Sequence, residues 1–223
     1  MAQIVITGAN RGIGLALTRI FSERGDQVLA ITRESSAELD DIVDQVVTGV
    51  DLTDGSAVEG LTTVVAEMCD AHIDVLINNA GVFENETLDN MDFDQIERQL
   101  NVNALAPLRL TTALLPLMAE GSKVANVTSR MGSMADNGSG GYYGYRASKA
   151  ALNAFGKSLA MDLKSRGIAV AQIHPGFVQT RMVNFAGDVT PDEAARGIVA
   201  RIDELDLRTT GSFWHANGDT LPW

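Results

Sequence analysis

Apolar and polar positions follow two alternating patterns along the 223-residue chain. Short runs that are rich in β-branched residues and poor in charge are typical of strands covered on both faces of a parallel sheet. Such runs occupy residues 3–7, 28–32, 45–50, 74–78, 123–128, 168–173 and 211–214. Segments with a helical period of apolar residues lie at 12–24, 56–70, 92–118, 143–167 and 190–205. This alternation of strands and helices predicts a doubly wound α/β fold.

The chain is predicted to form one domain over residues 1–223. No linker, repeat or low-complexity segment interrupts the alternation, and this length suits one domain with a sizeable core. The Gly- and Ser-rich stretch GSMADNGSGG at 132–141 lies between a predicted strand and a predicted helix, so it is interpreted as a loop.

Charge and hydropathy exclude several classes of function. The formal net charge is -12 and no Lys/Arg cluster occurs, which argues against binding of nucleic acid or of an anionic membrane surface. The longest apolar stretches are short, and Pro116 interrupts TTALLPLM, so no membrane span is predicted. The N-terminal MAQIVIT is already strand-like, which leaves no room for a signal peptide. A cytoplasmic protein is the expectation.

Cysteine and histidine usage gives no sign of a disulfide or of a metal site. Cys69 is the one cysteine, and its helical spacing among apolar residues favours a buried structural thiol. His72, His174 and His215 are far apart in sequence and lack the spacing of metal ligands, so no metal is expected.

A glycine-rich turn, VITGANRGIG (5–14), joins the first predicted strand to the first predicted helix. Gly8 allows a tight turn, while Gly12 and Gly14 let the backbone approach a pyrophosphate at the positive end of the helix. Their order, G-x-x-x-G-x-G, differs from the common fingerprint G-x-G-x-x-G in the position of the middle glycine. The turn predicts a dinucleotide site; the alternative is a turn that only packs the strand on the helix.

The end of the second predicted strand indicates which dinucleotide binds. A carboxylate there accepts a hydrogen bond from the ribose 2′-hydroxyl of NAD, whereas an arginine accommodates the 2′-phosphate of NADP. In AITRES, Arg33 follows Thr32, and Arg11 of the glycine turn offers a second guanidinium. NADP(H) is therefore the predicted cofactor, while Glu34 leaves NAD as the alternative.

Three tyrosines precede a lysine in GGYYGYRASKAAL (140–152). Residues four apart lie on one face of a helix, and Tyr145 is the tyrosine that has a lysine, Lys149, at this distance. The phenol and the ammonium can therefore act on the same small volume. Tyr142 and Tyr143 are expected to line the pocket or to pack.

Seven motifs occur in one order along the chain: TGANRGIG (7–14), DL (51–52), NNAG (78–81), VNALAP (102–107), VTS (127–129), YRASK (145–149) and PGFVQT (175–180). On these motifs the chain resembles the short-chain dehydrogenase/reductase family over its whole length. It looks most like the short carbonyl-reductase-like members that include the C-factor group, which the tail GSFWHANGDTLPW (211–223) suits.

The resemblance implies a Rossmann-type, seven-stranded parallel sheet with helices on both faces. It also implies a nicotinamide cofactor and hydride transfer between a carbonyl and an alcohol. The cofactor-binding part would span about 1–127, and the catalytic and substrate part about 128–223.

The resemblance gives Tyr145 and Lys149 catalytic roles. Tyr145 becomes the general acid that protonates the carbonyl oxygen, and Lys149 lowers its pKa and binds the nicotinamide ribose. An ammonium about 4 Å from a phenol favours the phenolate, so the pKa of Tyr145 is expected to fall toward neutrality.

Two further catalytic residues are implied, each with an alternative. Ser129 matches the serine that hydrogen-bonds the substrate oxygen, and Ser133 is the alternative. Asn103 matches the asparagine that interrupts its helix and holds a water for proton relay to Lys149, and Asn101 is the alternative.

The resemblance also assigns the cofactor contacts. Asp51 and Leu52 would contact the adenine, the NNAG turn would run beneath the adenosine ribose, and Val178 and Thr180 would bind the nicotinamide amide; taken alone, Asp51 could equally be a helix cap. The full set is Gly8, Asn10, Arg11, Gly12, Ile13, Gly14, Arg33, Asp51, Leu52, Asn79, Ala80, Gly81, Val102, Tyr145, Lys149, Pro175, Gly176, Val178 and Thr180.

The segment that follows Thr180 is short. Ten residues, RMVNFAGDVT, separate Thr180 from Pro191, where larger family members often carry a helical substrate lid. This predicts a shallow, open site that accepts varied small carbonyl compounds. Met182, Phe185 and Trp214 are candidates for its walls, and Trp214 is equally compatible with the core.

Together these observations predict an NADPH-dependent reductase of small aldehydes and ketones. The alternatives are an NAD(P)-dependent secondary-alcohol dehydrogenase and a cofactor-binding signalling protein with little turnover. The predicted partner is a small carbonyl or alcohol substrate. Helices at 103–118 and 143–166 carry small and apolar residues on more than one face, a pattern compatible with a homodimer or a homotetramer.

Overall fold

The computed structural model describes residues 1–43 and 45–223. Its sheet consists of β1 (Gln3–Thr7), β2 (Gln27–Ile31), β3 (Gln45–Val47), β4 (Val75–Asn78), β5 (Lys123–Val127), β6 (Ala169–His174) and β7 (Ser212–His215). Every neighbouring pair is parallel, and the strand order is β3-β2-β1-β4-β5-β6-β7. The predicted seven-stranded parallel sheet is therefore confirmed.

Helices connect the strands and cover both faces of the sheet. In the described ranges they are α1 (Gly12–Glu23), α2 (Ala37–Asp40), α3 (Gly55–Met68), α4 (Phe93–Leu100), α5 (Ala106–Leu114), α6 (Tyr143–Leu163) and α7 (Pro191–Glu204). The helical period had not predicted α2, which is only one turn long and begins at the Ser36 side-chain cap. None of these helices has the length and apolar character needed to cross a membrane.

The long helix predicted at 92–118 is divided in the structure. A π-helical turn, Asn101–Leu105, separates α4 from α5, and a 3-10 turn, Leu115–Leu117, follows α5. Pro107 lies at the beginning of α5 and has no N–H, so the carbonyl of Asn103 has no partner four residues on. The wide turn therefore forms where the sequence removes a helical hydrogen bond.

Alternate residues of each strand face opposite cores. In β1, Ile4 and Ile6 pack in a cluster with α1 and α7, whereas Val5 packs in a second cluster with α3, α5 and α6. This two-residue period explains why the strands are apolar on both faces. Cys69 is buried in the second cluster, where burial raises the pKa of its thiol to about 11, as expected of a structural cysteine.

The strand order places a crevice at the carboxyl ends of β1 and β4. The chain runs outward from β1 to β2 and β3, and then crosses back to β4 on the other side of β1. At such a reversal the flanking loops diverge, and ligands of doubly wound sheets bind in the gap between them.

Three amide side chains form a buried row across the middle of the sheet. Asn78 Nδ2 donates to Asn126 Oδ1 at 2.9 Å, and Asn126 Nδ2 donates to Gln172 Oε1 at 3.1 Å. These residues are register partners in β4, β5 and β6. α6 crosses this row at Gly156, where an added Cβ would lie 2.0 Å from Gln172 Oε1. A larger residue therefore does not fit.

Gly156→Ala is expected to lower the free energy of unfolding by about 2 kcal/mol or more, because it overpacks α6 and disrupts the amide row. Gly60→Ala in α3 is the matched control. Nothing lies within 4 Å of its added Cβ, so removing a glycine from a helix should stabilise by about 0.5–1 kcal/mol. Urea titrations should give a lower free energy of unfolding than wild type for Gly156→Ala and a higher one for Gly60→Ala. The same change in both variants would contradict the packing argument.

Candidate active site

The predicted site residues, apart from the fully buried Asn103, line one cleft at the carboxyl ends of the strands. The cleft has a volume of about 1950 Å³. Ser129 and all the predicted cofactor residues, from Gly8 to Thr180, line it. Residues that are up to 172 positions apart along the chain thus meet because parallel strands end at the same edge of the sheet.

The positive end of α1 opens into this cleft. Arg11 precedes the helix in an extended conformation, no side chain of the described residues caps the helix, and its first turn carries no acidic residue. The first N–H groups of a helix lack internal partners, and the helix dipole favours an anion there. The glycine turn is therefore suited to a pyrophosphate.

The three glycines of the turn have different roles. Gly12 has φ +55°, and an added Cβ would reach to 3.3 Å from Thr180 on the opposite side of the cleft. An added Cβ on Gly14 would instead lie 2.2 Å from the Gly8 carbonyl oxygen. Gly14 therefore lets α1 pack closely on the turn, and it also lines the cleft, so the predicted approach of its backbone to a pyrophosphate stays a prediction. Gly8 has φ +66° and makes the tight turn, as predicted.

Two arginines, one in the glycine turn and one after β2, line the cleft. Arg11 and Arg33 are exposed, and neither forms an ion pair within the described ranges. Asn10 Nδ2 donates to the Glu34 carbonyl oxygen at 2.9 Å and so fixes the backbone after β2 beside the glycine turn. The arrangement fits a phosphate on the adenosine ribose, although the carboxylate of Glu34 also lines the cleft.

Asp51 lies beside these arginines and is not a helix cap. It accepts hydrogen bonds from the N–H and hydroxyl of Thr53 at 2.9 and 2.7 Å. These bonds, followed by the charge of Arg33, lower the pKa of its carboxyl. Asp54 caps α3 instead, through a hydrogen bond from the Ser56 N–H. The helix-cap alternative for Asp51 is therefore wrong.

Tyr145, to which the family resemblance gives the catalytic role, lies beside a serine from another element. Tyr145 lies in the first turn of α6, and Ser129, which follows β5, has its hydroxyl close enough to the phenol to oppose the rise in the pKa of Tyr145. The alternative serine, Ser133, is buried and lines a separate small pocket of about 210 Å³ with Met134 and Ala150. Of the two serines, Ser129 is thus the one beside Tyr145.

Lys149 is buried one helical turn beyond Tyr145. Its Nζ donates to the Val127 carbonyl oxygen at 3.0 Å and lies 5.8 Å from the Tyr145 ring centroid. Burial lowers the pKa of Lys149 to about 8 and raises the pKa of Tyr145 to about 12, and the smaller opposing effect of the nearby Ser129 hydroxyl does not offset this rise. The expected lowering of the Tyr145 pKa was wrong, because burial outweighs a cation at this distance. At neutral pH the phenol keeps its proton.

The π-helical turn presents Asn103 to the loop after β4. Asn103 Oδ1 accepts from the Val82 N–H at 2.8 Å, and its Nδ2 donates to the Val82 carbonyl at 2.9 Å and to Ser148 Oγ at 3.0 Å. An added Cβ on Gly81 would lie 3.2 Å from Asn103 Oδ1 and 3.9 Å from Lys149 Nζ. Asn103 is fully buried beside Lys149, as the interrupted helix predicted, whereas the alternative, Asn101, is exposed.

An aromatic ring that the motifs did not identify, that of Phe83, packs against Tyr145. The Phe83 ring lies edge-on to Tyr145 at 4.8 Å between centroids and tilted on Tyr142 at 5.5 Å. Tyr142 lines the cleft, whereas Tyr143 is exposed. Phe83 follows NNAG by two positions, and no spacing rule links it to Tyr145.

His174 is a second unpredicted residue of the cleft. It is buried at the end of β6, and its ring is edge-on to His215 at 4.9 Å. Burial, followed by the charges of its neighbours, lowers the pKa of His174 to about 3, so the ring is neutral. In the described part of the chain, no group of three or more His, Cys, Asp or Glu could hold a metal ion.

The segment after Thr180 forms an open wall of the cleft. It contains a 3-10 turn, Arg181–Val183, and an isolated bridge joins Val178 to Val189 at its base. Met182 and Phe185 line the cleft and are exposed, as predicted. Trp214 packs against the core instead, so its assignment to the substrate wall was wrong and the core alternative holds.

Known proteins with similar sequences include a dehydrogenase and C-signal. The chain is 39% identical over its full length to the full length of 1-hydroxy-2-glutathionyl-2-methyl-3-butene dehydrogenase from Rhodococcus sp. (strain AD45). It is 42% identical over 159 residues to C-signal from Myxococcus xanthus, a match that covers 70% of this chain and 96% of C-signal.

Solved structures with the same fold include several carbonyl reductases. Carbonyl reductase Sniffer of D. melanogaster superimposes with a TM-score of 0.91 at 28% identity, and all of both chains is covered. The NADPH-bound carbonyl reductase from chicken fatty liver also superimposes with a TM-score of 0.91, at 27% identity. The superposition covers 100% of this chain and 99% of the chicken protein.

A family model agrees with both sets of relatives. The model of the short chain dehydrogenases matches residues 2–190. This range includes the glycine turn, the Ser129–Tyr145–Lys149 group and the segment after Thr180 that forms the open wall of the cleft. The chain belongs to the short-chain dehydrogenase/reductase family.

Proposed function

We propose that this protein is an NADPH-dependent oxidoreductase that reduces the carbonyl group of small aldehydes or ketones to an alcohol. The observation that carries the proposal is that Ser129, Tyr145 and buried Lys149 line the same cleft as the open end of α1, with the Ser129 hydroxyl beside the Tyr145 phenol. Two hydroxyl groups can hold a carbonyl oxygen at this point, beside a site suited to a dinucleotide.

The residues of the cleft fit the cofactor in three parts. The N–H groups at the beginning of α1 would hold the pyrophosphate, and Arg11 and Arg33 would bind the 2′-phosphate. Asp51 and Leu52 would contact the adenine, and the 175–180 segment would contact the nicotinamide. The bound nicotinamide would supply the hydride. The NADPH-bound state of the chicken carbonyl reductase supports the choice of NADP(H).

The proton would come from Tyr145. Its pKa of about 12 keeps the phenol protonated at neutral pH, so it can donate to the substrate oxygen as negative charge develops there. Ser129 would donate a second hydrogen bond to that oxygen. Lys149, whose pKa is about 8, is largely protonated at pH 7 and would stabilise the phenolate that remains.

Asn103 would complete the path by which Tyr145 regains its proton. It lies beside Lys149 across Gly81, and it holds the π-helical turn against Val82 and Ser148. The proposed role is to order a water between this turn and the Lys149 ammonium, as the family resemblance implies.

Two other functions use the same site. Oxidation of a secondary alcohol is the reverse reaction, and the dehydrogenase from Rhodococcus supports it. A signalling protein with little turnover is supported by C-signal. The presence of Ser129, Tyr145, Lys149 and Asn103 together favours an enzyme, since cofactor binding alone does not require a proton donor.

Purified protein is expected to oxidise NADPH faster than NADH in the presence of small aldehydes and ketones. Tyr145→Phe should lower kcat about 10²- to 10³-fold because the proton donor is lost, while the Kd for NADPH changes little. Tyr143→Phe removes an exposed phenol from the same helix and should retain activity. Equal rates for Tyr145→Phe and wild type would contradict the proposed role, and tight NADPH binding without turnover would favour the signalling alternative.

Arg33→Leu tests the choice of cofactor. It is expected to raise the KM for NADPH about 10- to 100-fold and to leave the KM for NADH nearly unchanged, since a charge-assisted bond to the 2′-phosphate is lost. Arg19→Leu is the control, because Arg19 is an exposed arginine of α1 that pairs with Asp192 outside the cleft. A wild type that prefers NADH would indicate Glu34 as the ribose ligand instead.

Lys149→Met should abolish turnover and yet stabilise the fold. The pKa of Lys149 falls from 10.5 to about 8 on folding, so its buried charge costs stability. This cost is complete below pH 8, where folded and unfolded lysine are both charged, and it disappears as the pH rises from 8 to 10.5. After loss of the Val127 hydrogen bond, a net gain of about 2 kcal/mol is expected at pH 7.

Calorimetry at pH 7 and pH 10 measures this difference. The melting temperature of Lys149→Met should exceed that of wild type by about 4–8 °C at pH 7, and the gap should narrow at pH 10. Lys164→Met, which changes an exposed lysine just after α6, should show no such dependence on pH. A destabilised Lys149→Met variant would contradict the burial argument.

A further inference from the structure

A carboxylate is fully buried at the point where α6 begins. Glu86, in the loop after β4, is 0% exposed. Its Oε2 accepts a hydrogen bond from the Gly144 N–H at 3.0 Å, and its Oε1 accepts one from the side-chain amide of Gln99 in α4. The backbone carbonyl of Glu86 also accepts from the Tyr142 N–H at 3.0 Å.

The N-terminus of α6 has no cap of its own. Tyr142 occupies the cap position with φ +53° and makes no side-chain cap hydrogen bond. The first N–H groups of a helix need outside partners, and a negative charge is favoured at this end. Glu86 therefore caps the helix from a distant segment of the chain. This also explains how a carboxylate can be buried, since both its oxygens accept hydrogen bonds.

The contact at Gly144 leaves little room for movement. An added Cβ there would lie 2.5 Å from Gln99 Nε2, 2.9 Å from Ile96 Cα and 3.1 Å from Glu86 Oε1. α6 thus rests directly on α4 and on the carboxylate. Tyr145 is the next residue, about 3.8 Å away from Cα to Cα, so any shift of Gly144 moves the phenol.

The same loop also contacts the Tyr145 ring. Phe83 packs edge-on to that ring at 4.8 Å, and the Glu84 N–H donates to Gln99 Oε1 at 3.0 Å. Gln99 therefore binds the loop twice, once at Glu84 and once at Glu86. The loop, α4 and the first turn of α6 form one hydrogen-bonded unit around Tyr145.

We propose that Glu86 is a positioning residue for Tyr145. It has no surface in the cleft and acts through the Gly144 N–H, whose position sets the direction of the phenol toward the substrate oxygen. This inference rests on the proposed function, because it assumes that Tyr145 donates the proton. A displacement of about 1 Å at a proton donor lowers the rate of the chemical step without weakening the binding of a ligand held elsewhere.

Glu86→Leu in the full chain should lower kcat about 30-fold, while the KM and the Kd for NADPH change less than twofold. Glu86→Gln keeps an oxygen that can accept from Gly144 but loses the acceptor of the Gln99 side-chain amide, so it should recover kcat in part, to within about tenfold of wild type. Glu86→Asp keeps the charge but shortens the side chain, and its kcat should be lower than that of the Gln variant. Leu61→Ala, a core change in α3, controls for loss of stability alone.

A double-mutant cycle separates positioning from general damage to the fold. In a Tyr145→Phe background, Glu86→Leu should change the residual rate less than twofold, because the group that it positions is already absent. A full 30-fold loss in that background would overturn the proposal. The proposal would also be overturned if the kcat of Glu86→Leu were within twofold of wild type. If the Leu variant does not fold, wild-type kcat values for both the Asp and Gln variants would overturn it.

Failure of the proposed function has a different result. Turnover by wild type that does not depend on Tyr145 would overturn both the proposed function and the role of Glu86. Turnover that depends on Tyr145 but not on Glu86 would leave the function in place and overturn the positioning role alone.

Discussion

The hydrogen bond from Lys149 Nζ to the Val127 carbonyl is the interaction on which the arrangement of this site depends. It joins α6 to the end of β5, 22 positions earlier in the chain. It also gives the buried Lys149 ammonium a hydrogen-bond acceptor, which offsets part of the unfavourable free energy of burying a charge. Ser129, which lies beside the phenol of Tyr145 in the cleft, is two residues beyond that carbonyl. The end of β5 thus positions both the Lys149 ammonium and the Ser129 hydroxyl near the phenol of Tyr145.

Three glycines let α6 approach its neighbours closely enough for this bond. At Gly132 an added Cβ would lie 2.7 Å from the Lys149 carbonyl carbon, and at Gly156 it would overlap Gln172 of β6. Gly144 contacts α4 and Glu86 in the same way. The helix is therefore held at its beginning, at the level of Lys149 and at its middle. Interiors packed at this density transmit small displacements rather than absorbing them.

The site combines a buried cation, which costs stability, with a partly buried phenol that stays protonated at neutral pH in both the folded and the unfolded chain. Burial acts on the two groups in the same sense, toward the neutral form, and leaves Tyr145 as a proton donor at neutral pH. At neutral pH Lys149 is still mostly charged, because burial lowers its pKa only to about 8. A destabilising buried charge of this kind is expected where chemistry takes place, and other parts of the fold compensate for it.

Much of the fold and of the site could be predicted because the signals were local. The alternation of apolar patterns depends on which residues are buried on each strand, and it predicted all seven strands to within a few residues. The glycine turn and the spacing of Tyr145 and Lys149 are properties of consecutive residues. The division of the helix at 92–118 was also encoded locally, since Pro107 removes the hydrogen bond that a continuous helix would need.

What remained open involved contacts between segments far apart in the chain. The choice of Ser129 over Ser133 and of Asn103 over Asn101, the core position of Trp214 and the raised pKa of Tyr145 depend on burial and neighbours, which no local pattern specifies. Glu86, 58 positions from the N–H that it caps, carries no motif. The amino-acid sequence by itself determined the family, the parallel sheet and the identity of the chemical groups. Only the tertiary structure decided which of them touch, because desolvation and hydrogen-bond geometry arise from packing.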